Sequence, residues 1–213
     1  MKQKLLAVIQ AILTALTVLS GAIAVPIVFR PFFYWHIEPM GLTRLVGIDT
    51  QQVKNAYNAM MDFCIGVTDT FSAGVLPFSE EGMAHFVDVK KLFVLDLRVL
   101  AVAAVLLVAV TLLRKKNPRK LSGHTPGFWG AIGLGAAFLV IGGLAALDFD
   151  RAFVIFHQIF FPGKSNWIFN GRTDPIIYML PAEFFRNCAL LILAGILISC
   201  GALILWDRKK RKK

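Results

Sequence analysis

The sequence predicts an all-α membrane protein, with four transmembrane helices and an extracellular cap of short helices and loops built from two outer segments. Three observations predict it. Of the 213 residues 57% are hydrophobic, and the mean hydropathy is +0.66. Four apolar runs, at about residues 5–29, 92–113, 128–147 and 189–206, are each close to the roughly 20 helical residues that cross a bilayer core about 30 Å thick. Basic residues also gather on one side of these runs, as they do in chains that span a membrane.

The first run follows Lys2 and Lys4 and contains the small residues of Ser20–Ala24, which imitate a secretory signal. From Leu5 to Phe29 it is nevertheless far longer than the roughly 7–15 apolar residues of a signal, so an uncleaved helix is expected. The outer segment at about 30–91 opens on Arg30 and PFFYWHIEPMG, aromatics suited to a lipid interface. Asp49 then caps an expected helix in which Val53, Tyr57, Met60 and Cys64 share one face. Another helix is expected from Ser79-Glu80-Glu81, whose acids suit a first turn, through His85 and on into the second span. The inner loop is punctuated by Pro118, Gly123, Pro126 and Gly127. The third run holds Gly130, Gly133, Gly135, Gly142 and Gly143, which allow close helix approach in lipid. The outer segment at about 148–186 includes IIYMLP, framed by Pro175 and Pro181. A single membrane domain over residues 1–213 is expected.

Charge sets the orientation. Lys2, Lys4, Arg114, Lys115, Lys116, Arg119, Lys120 and the tail Arg208–Lys213 make thirteen of the 23 basic residues, and only Asp207 opposes them on that side. The other side is nearly neutral. Lysine and arginine stay cytoplasmic, so a multi-pass protein of the cell membrane with both termini inside is expected. The tail is read as a patch for anionic membrane lipids, and no nucleic acid is expected as a partner. Cys64, Cys188 and Cys200 offer neither an outer pair nor a metal spacing.

Chemistry is sought among the four histidines. His124 lies in the basic loop and reads as solvated, and His36 belongs to the aromatic interface. His85 and His157 come one from each outer segment. On a helix Glu81, His85 and Asp88 share a face, so a carboxylate would fix the His85 tautomer and favour its protonated form. Phe153, Phe156, Phe160, Phe161 and Trp167 would enclose His157 with rings, and desolvation of that kind favours neutral imidazole. Two imidazoles in different settings make a general acid and a general base. Glu81, His85, Asp88 and His157 could instead hold a metal, but the spacing lacks the sharpness of HExxH. No GxSxG elbow marks a serine nucleophile, so if acyl chemistry occurs the substrate is expected to bring its own. A transporter is disfavoured because the spans carry few ionisable groups. A purely structural or docking role, and a metal-dependent lipid hydrolase, are the remaining alternatives.

The stretches SEEGMAHFVDVKKLF and FHQIFFPGKSNWIF, set between four spans, resemble those of the lipoprotein intramolecular transacylase (Lit) family of Gram-positive bacteria. The resemblance implies transfer of the sn-2 acyl chain of a diacylglyceryl lipoprotein to the α-amine of its N-terminal cysteine, without a cofactor. It implies diacylglyceryl-modified lipoproteins as partners and maps the two catalytic histidines onto His85 and His157. The aromatic cluster, Phe156 and Phe160 included, would then be a mould for the folded head of the substrate, with Trp167 packing there. Arg172, Tyr178 and Asn166 are candidates for holding the oxyanion. His157 is taken as base and His85, oriented by Asp88 or Glu81, as acid, with the reverse assignment left open.

Overall fold

A computed structural model describes residues 2–114 and 120–212, the side chain of Lys2 excepted. The expected inner-loop residues Lys115, Lys116, Pro118 and Arg119, and Lys213 of the tail, lie outside the described residues. In chain order the helices are α1 (Lys2–Val28), α2 (Pro31–Ile37), α3 (Leu42–Val46), α4 (Thr50–Cys64), α5 (Glu80–Arg114), α6 (Pro126–Leu147), α7 (Phe149–Phe160), α8 (Ile176–Met179) and α9 (Ala182–Arg211). Among the described residues the one β pairing is an isolated bridge between Leu121 and His124. The four apolar runs lie on α1, α5, α6 and α9, each long and apolar enough to cross a membrane. With its membrane-spanning helices and its short ones, the chain is an all-α, multi-pass membrane protein.

The chain forms two compact units: residues 1–24, 96–146 and 190–213, and residues 25–95 and 147–189. In the first, Leu13 of α1 packs with Ala103 and Val110 of α5, and Ala22 of α1 with Ala131 of α6 and Ile196 and Cys200 of α9. The glycines of α6 are used selectively. A Cβ at Gly130 would press on the Ala11 carbonyl, and one at Gly142 would lie 2.8 Å from Leu193, whereas Gly133 and Gly143 face open space. Between α5 and α6, His124 is not the solvated residue expected. Its ring stacks on Phe128 at 3.9 Å, and its Nδ1 lies 2.8 Å from Asp207 Oδ2, while Asp207 Oδ1 also accepts Thr125 N–H at 2.7 Å. An apolar neighbourhood and a fully buried carboxylate together outweigh solvation of one imidazole.

The second unit follows from its caps and its alternation of apolar positions. Asp49 closes a capping box with Gln52 at the start of α4, and Val53, Tyr57, Met60 and Cys64 are all buried. Phe33 of α2 stacks on Tyr57 at 3.8 Å, with Phe184 edge-on to Phe33 at 5.3 Å. Arg30 pairs with Asp62, and the Tyr34 hydroxyl bonds Asn58 at 2.6 Å. Within PFFYWHIEPMG the roles divide. Phe33 and Ile37 are core, and Trp35 stays 64% exposed. The Pro-framed segment forms α8, and Ile176 and Met179 point into the core.

Candidate functional site

The helix expected from Ser79 is α5, and it continues unbroken to Arg114. Its 35 residues extend about 52 Å at 1.5 Å per residue, well beyond a bilayer core of about 30 Å. The apolar run begins after Lys91, so His85 and Asp88 belong to the charged turns that precede the span. The start of the helix is fixed from outside it. Ser79 Oγ accepts Gly82 N–H at 3.0 Å, and Asp174 Oδ1 accepts Ser79 N–H at 2.7 Å. Asp174 is itself held by the Thr173 hydroxyl at 2.6 Å. Gly82 is required here, because a Cβ would run into the Asp174 carboxylate and reach 3.2 Å from Phe169.

His157 sits near the end of α7, whose first turn is capped by Asp148 accepting Arg151 N–H at 3.0 Å. Its Nδ1–H donates to Phe153 O at 2.8 Å, a bond within its own helix that leaves Nε2 as the free acceptor. The rings of His85 and His157 stand 5.9 Å apart, inclined by 29°. Phe161 touches both, at 4.9 Å from His85 and 5.6 Å from His157. Phe169 closes on His85 at 5.5 Å. Phe153, Phe156 and Trp167 surround His157 at 4.3, 5.5 and 4.6 Å. Both histidines are buried, yet Phe156 and Phe160 are each about half exposed. The site is thus a shielded imidazole pair beside accessible rings.

The electrostatics differ from the sequence expectation. Neither Glu81 nor Asp88 hydrogen-bonds His85, and the Nδ1 of His85 is buried without a partner. Burial first, and the neighbouring His157 second, push its pKa down to about 4, and Asp88 only partly opposes this. Burial also lowers His157, against the opposing bond to Phe153 O. Both imidazoles are therefore neutral at pH 7, so the contrast expected between a protonated His85 and a neutral His157 is absent. Asp88 is engaged elsewhere. Burial would raise its carboxyl, but hydrogen bonds from Lys164, Lys91 and Asn166 override it and hold the group at about 2.

The other expected site residues divide. Trp167 packs on His157, and its indole N–H donates to Lys164 O at 3.1 Å. Phe160 contacts Phe156, at 4.6 Å, and not the imidazole. No hydrogen bond or ring contact joins Glu81, Arg172 or Tyr178 to either histidine. Glu81 and Asn166 instead line a cleft of about 320 Å³ with Phe169, Asn170 and Asp174. Sequence reasoning missed Phe169, Lys164 and Asp174. Ser79 three residues before Gly82 signalled the cap, but nothing in the sequence marked its distant partner Asp174.

Residues 8–185 match the family described as lipoprotein intramolecular transacylase Lit. The chain is also similar to the membrane integral lipoprotein intramolecular transacylase Lit from Bacillus cereus, with a TM-score of 0.85, 27% identity, and 99% of this chain and 98% of the other covered. Two further structures of that protein carry the substitutions H85R and H85A in its own numbering. They match at TM-score 0.80 each, with 25% and 26% identity, 99% of this chain covered, and 94% and 96% of theirs. No curated protein matches the chain. The fold and site therefore define a membrane-integral acyltransferase. The chain belongs to the lipoprotein intramolecular transacylase Lit family, as the two sequence stretches around the histidines led one to expect.

Proposed function

We propose that this enzyme moves the sn-2 acyl chain of a diacylglyceryl lipoprotein onto the α-amine of the N-terminal cysteine, using His157 as base and His85 as proton donor. The observation that carries the reading is the shielded pair, two neutral imidazoles 5.9 Å apart within one aromatic enclosure. The amine nitrogen attacks the ester carbonyl, the carbonyl-to-glyceryl-oxygen bond breaks, and an amide and a free glyceryl hydroxyl result. The proton lost by nitrogen ends on that hydroxyl, so no co-reactant is consumed.

Attack closes a ring of nitrogen, Cα, Cβ, sulfur, two glyceryl carbons, ester oxygen and carbonyl carbon. Rings of this size close poorly in solution, because the chain must give up freedom and accept strained torsions. Holding amine and ester in contact removes part of that cost in advance by fixing the ring-closing conformer, and a wall of rings is suited to that. Nε2 of His157 takes the amine proton, since its Nδ1 is committed to Phe153 O. His85 carries its proton on Nε2, because an N–H at the partnerless Nδ1 would be buried unpaired. That N–H supports the carbonyl oxygen as it gains charge. As His85 gives the proton up to the departing glyceryl oxygen, the proton that His157 took from the amine replaces it, so both imidazoles end neutral. Proton transfer of this kind contributes about 10²–10⁴-fold. With both imidazoles depressed, the rate should fall on the acid side as the substrate amine, of ordinary pKa about 7.7–8.0, takes a proton.

The chain works as one membrane domain in the bacterial cell membrane, with both termini cytoplasmic and the outer segments on the far side. Membrane lipids would hold the acyl chains of the substrate. Arg172 and Tyr178 make no hydrogen bond or ring contact with either histidine; their part is in holding the lipopeptide or its oxyanion.

The test is purified protein with a synthetic diacylglyceryl lipopeptide, with and without EDTA, followed by mass spectrometry. A product of unchanged mass bearing one acyl group on the cysteine nitrogen is expected, and it should vanish in His85→Ala and His157→Ala. Release of free fatty acid that EDTA prevents would overturn the reading in favour of a metal hydrolase.

A further inference from the structure

Lys164 takes no part in the chemistry above, yet it joins the two histidine-bearing stretches. Its Nζ donates to Oδ2 of Asp88, a buried carboxylate three residues beyond His85 on α5. Its carbonyl accepts the Trp167 indole N–H at 3.1 Å, and the Trp167 ring lies over His157 with centroids 4.6 Å apart. Its own N–H closes a turn onto Phe161 O at 3.1 Å, across Gly163 at φ +73°, and Phe161 is the ring both imidazoles lean on. A continuous path thus runs from the helix of His85 through Asp88 and Lys164 to the imidazole of His157. Lys91 also binds Asp88, at 3.0 Å, but from the same helix, so it ties down no second segment.

We propose that Lys164 is a positioning residue, whose ion pair with Asp88 sets the separation of the two imidazoles through the Trp167 and Phe161 contacts. A lysine paired to an exposed acid would contribute little. Here the acid side chain is 10% exposed, so the lysine is drawn to a fixed point and the turn that carries Trp167 is drawn with it. The proposal rests on the two-histidine reading and adds to it the device that keeps the pair in register.

The experiment is steady-state transacylation by Lys164→Ala, Lys164→Arg, Lys91→Ala and Trp167→Phe in detergent, each variant checked for unchanged thermal unfolding. A misplacement near 1 Å can cost on the order of a hundredfold. Lys164→Ala is therefore expected to lose about tenfold or more in kcat with apparent KM unchanged. Lys164→Arg should restore most of that loss, and Lys91→Ala should match the parent. Trp167→Phe keeps a ring but removes the indole N–H, so it should also lower kcat. Combined with Lys164→Ala it should add nothing, because both changes cut one path. A parental rate in Lys164→Ala, an equal loss in Lys164→Arg, a loss in KM alone, or multiplying losses in the double variant would each overturn the proposal. Should Lys164→Ala fail to fold, the Trp167→Phe arm decides: an unchanged kcat overturns it. His85→Ala and His157→Ala run beside these variants. If both keep the parental rate, the two-histidine reading has failed; if both lose it while Lys164→Ala does not, the clamp alone has failed.

Discussion

His85 illustrates how burial outweighs a neighbouring charge. Its position one turn from Glu81 and Asp88 is legible in the sequence, and so is the ring cluster around His157. What the sequence could not show is that Lys164, 76 positions away from Asp88, joins Lys91 in drawing that carboxylate away from His85. A pH dependence of stability follows. The folded pKa of His85, about 4, is below the ordinary 6.5, so the unfolded chain takes up its proton first as pH falls. The contribution is fully present above about 6.5 and is lost progressively as pH drops through about 4. His157 shifts in the same direction. Thermal unfolding in detergent is expected to fall across that window, and less steeply in His85→Phe; an equal slope would count against it. Gly82 makes a second prediction. Gly82→Ala should lower the unfolding temperature and the activity together, since its Cβ displaces the Asp174 that holds the capping Ser79. Asp174→Ala should itself cost about 1.5–3 kcal/mol of stability, the usual range for a lost hydrogen bond to a charged group, since it removes the acceptor of the Ser79 N–H.

Among the helices, α4 was the most legible. Its cap and its buried face, Asp49 followed by Val53, Tyr57, Met60 and Cys64, follow local rules that operate within a few residues. In contrast, α7 was read only as an aromatic cluster, because apolar residues occupy nearly every position of AFVIFHQIFF and mask a helical period. Its Asp148 cap and the His157-to-Phe153 bond become meaningful only once the helix is known. The glycines of α6 show a limit of a different kind. Composition announced close packing, but only tertiary placement separates Gly130, against the Ala11 backbone, from Gly143 in the open. Gly130→Ala is therefore expected to destabilise the protein in detergent. Gly143→Ala should be neutral or stabilising by up to about 1 kcal/mol, the intrinsic advantage of alanine in a helix. Equal effects at the two positions would mean that α6 packs differently from the arrangement described.

Four spans and the side on which charge gathers were legible from hydropathy and lysine placement alone, since the bilayer imposes both. The proposed orientation can be checked by thiol labelling in intact cells. Val67→Cys, at a position 71% exposed, should react with an impermeant reagent from outside, and Lys209→Cys only after permeabilisation. The native Cys64 should stay silent, being buried with its thiol pushed up to about 12. The same physics that neutralises the imidazole pair bears on which lipids the enzyme ignores. Bulk phospholipids carry an sn-2 ester much like that of a lipoprotein, and they vastly outnumber it, but their phosphate needs a cation to settle against. The two uncharged rings give that anion no counterion of their own, and Lys164 and Lys91 are both drawn to Asp88, so a phospholipid offered in the same detergent assay is expected to lose its sn-2 chain far more slowly than the lipopeptide.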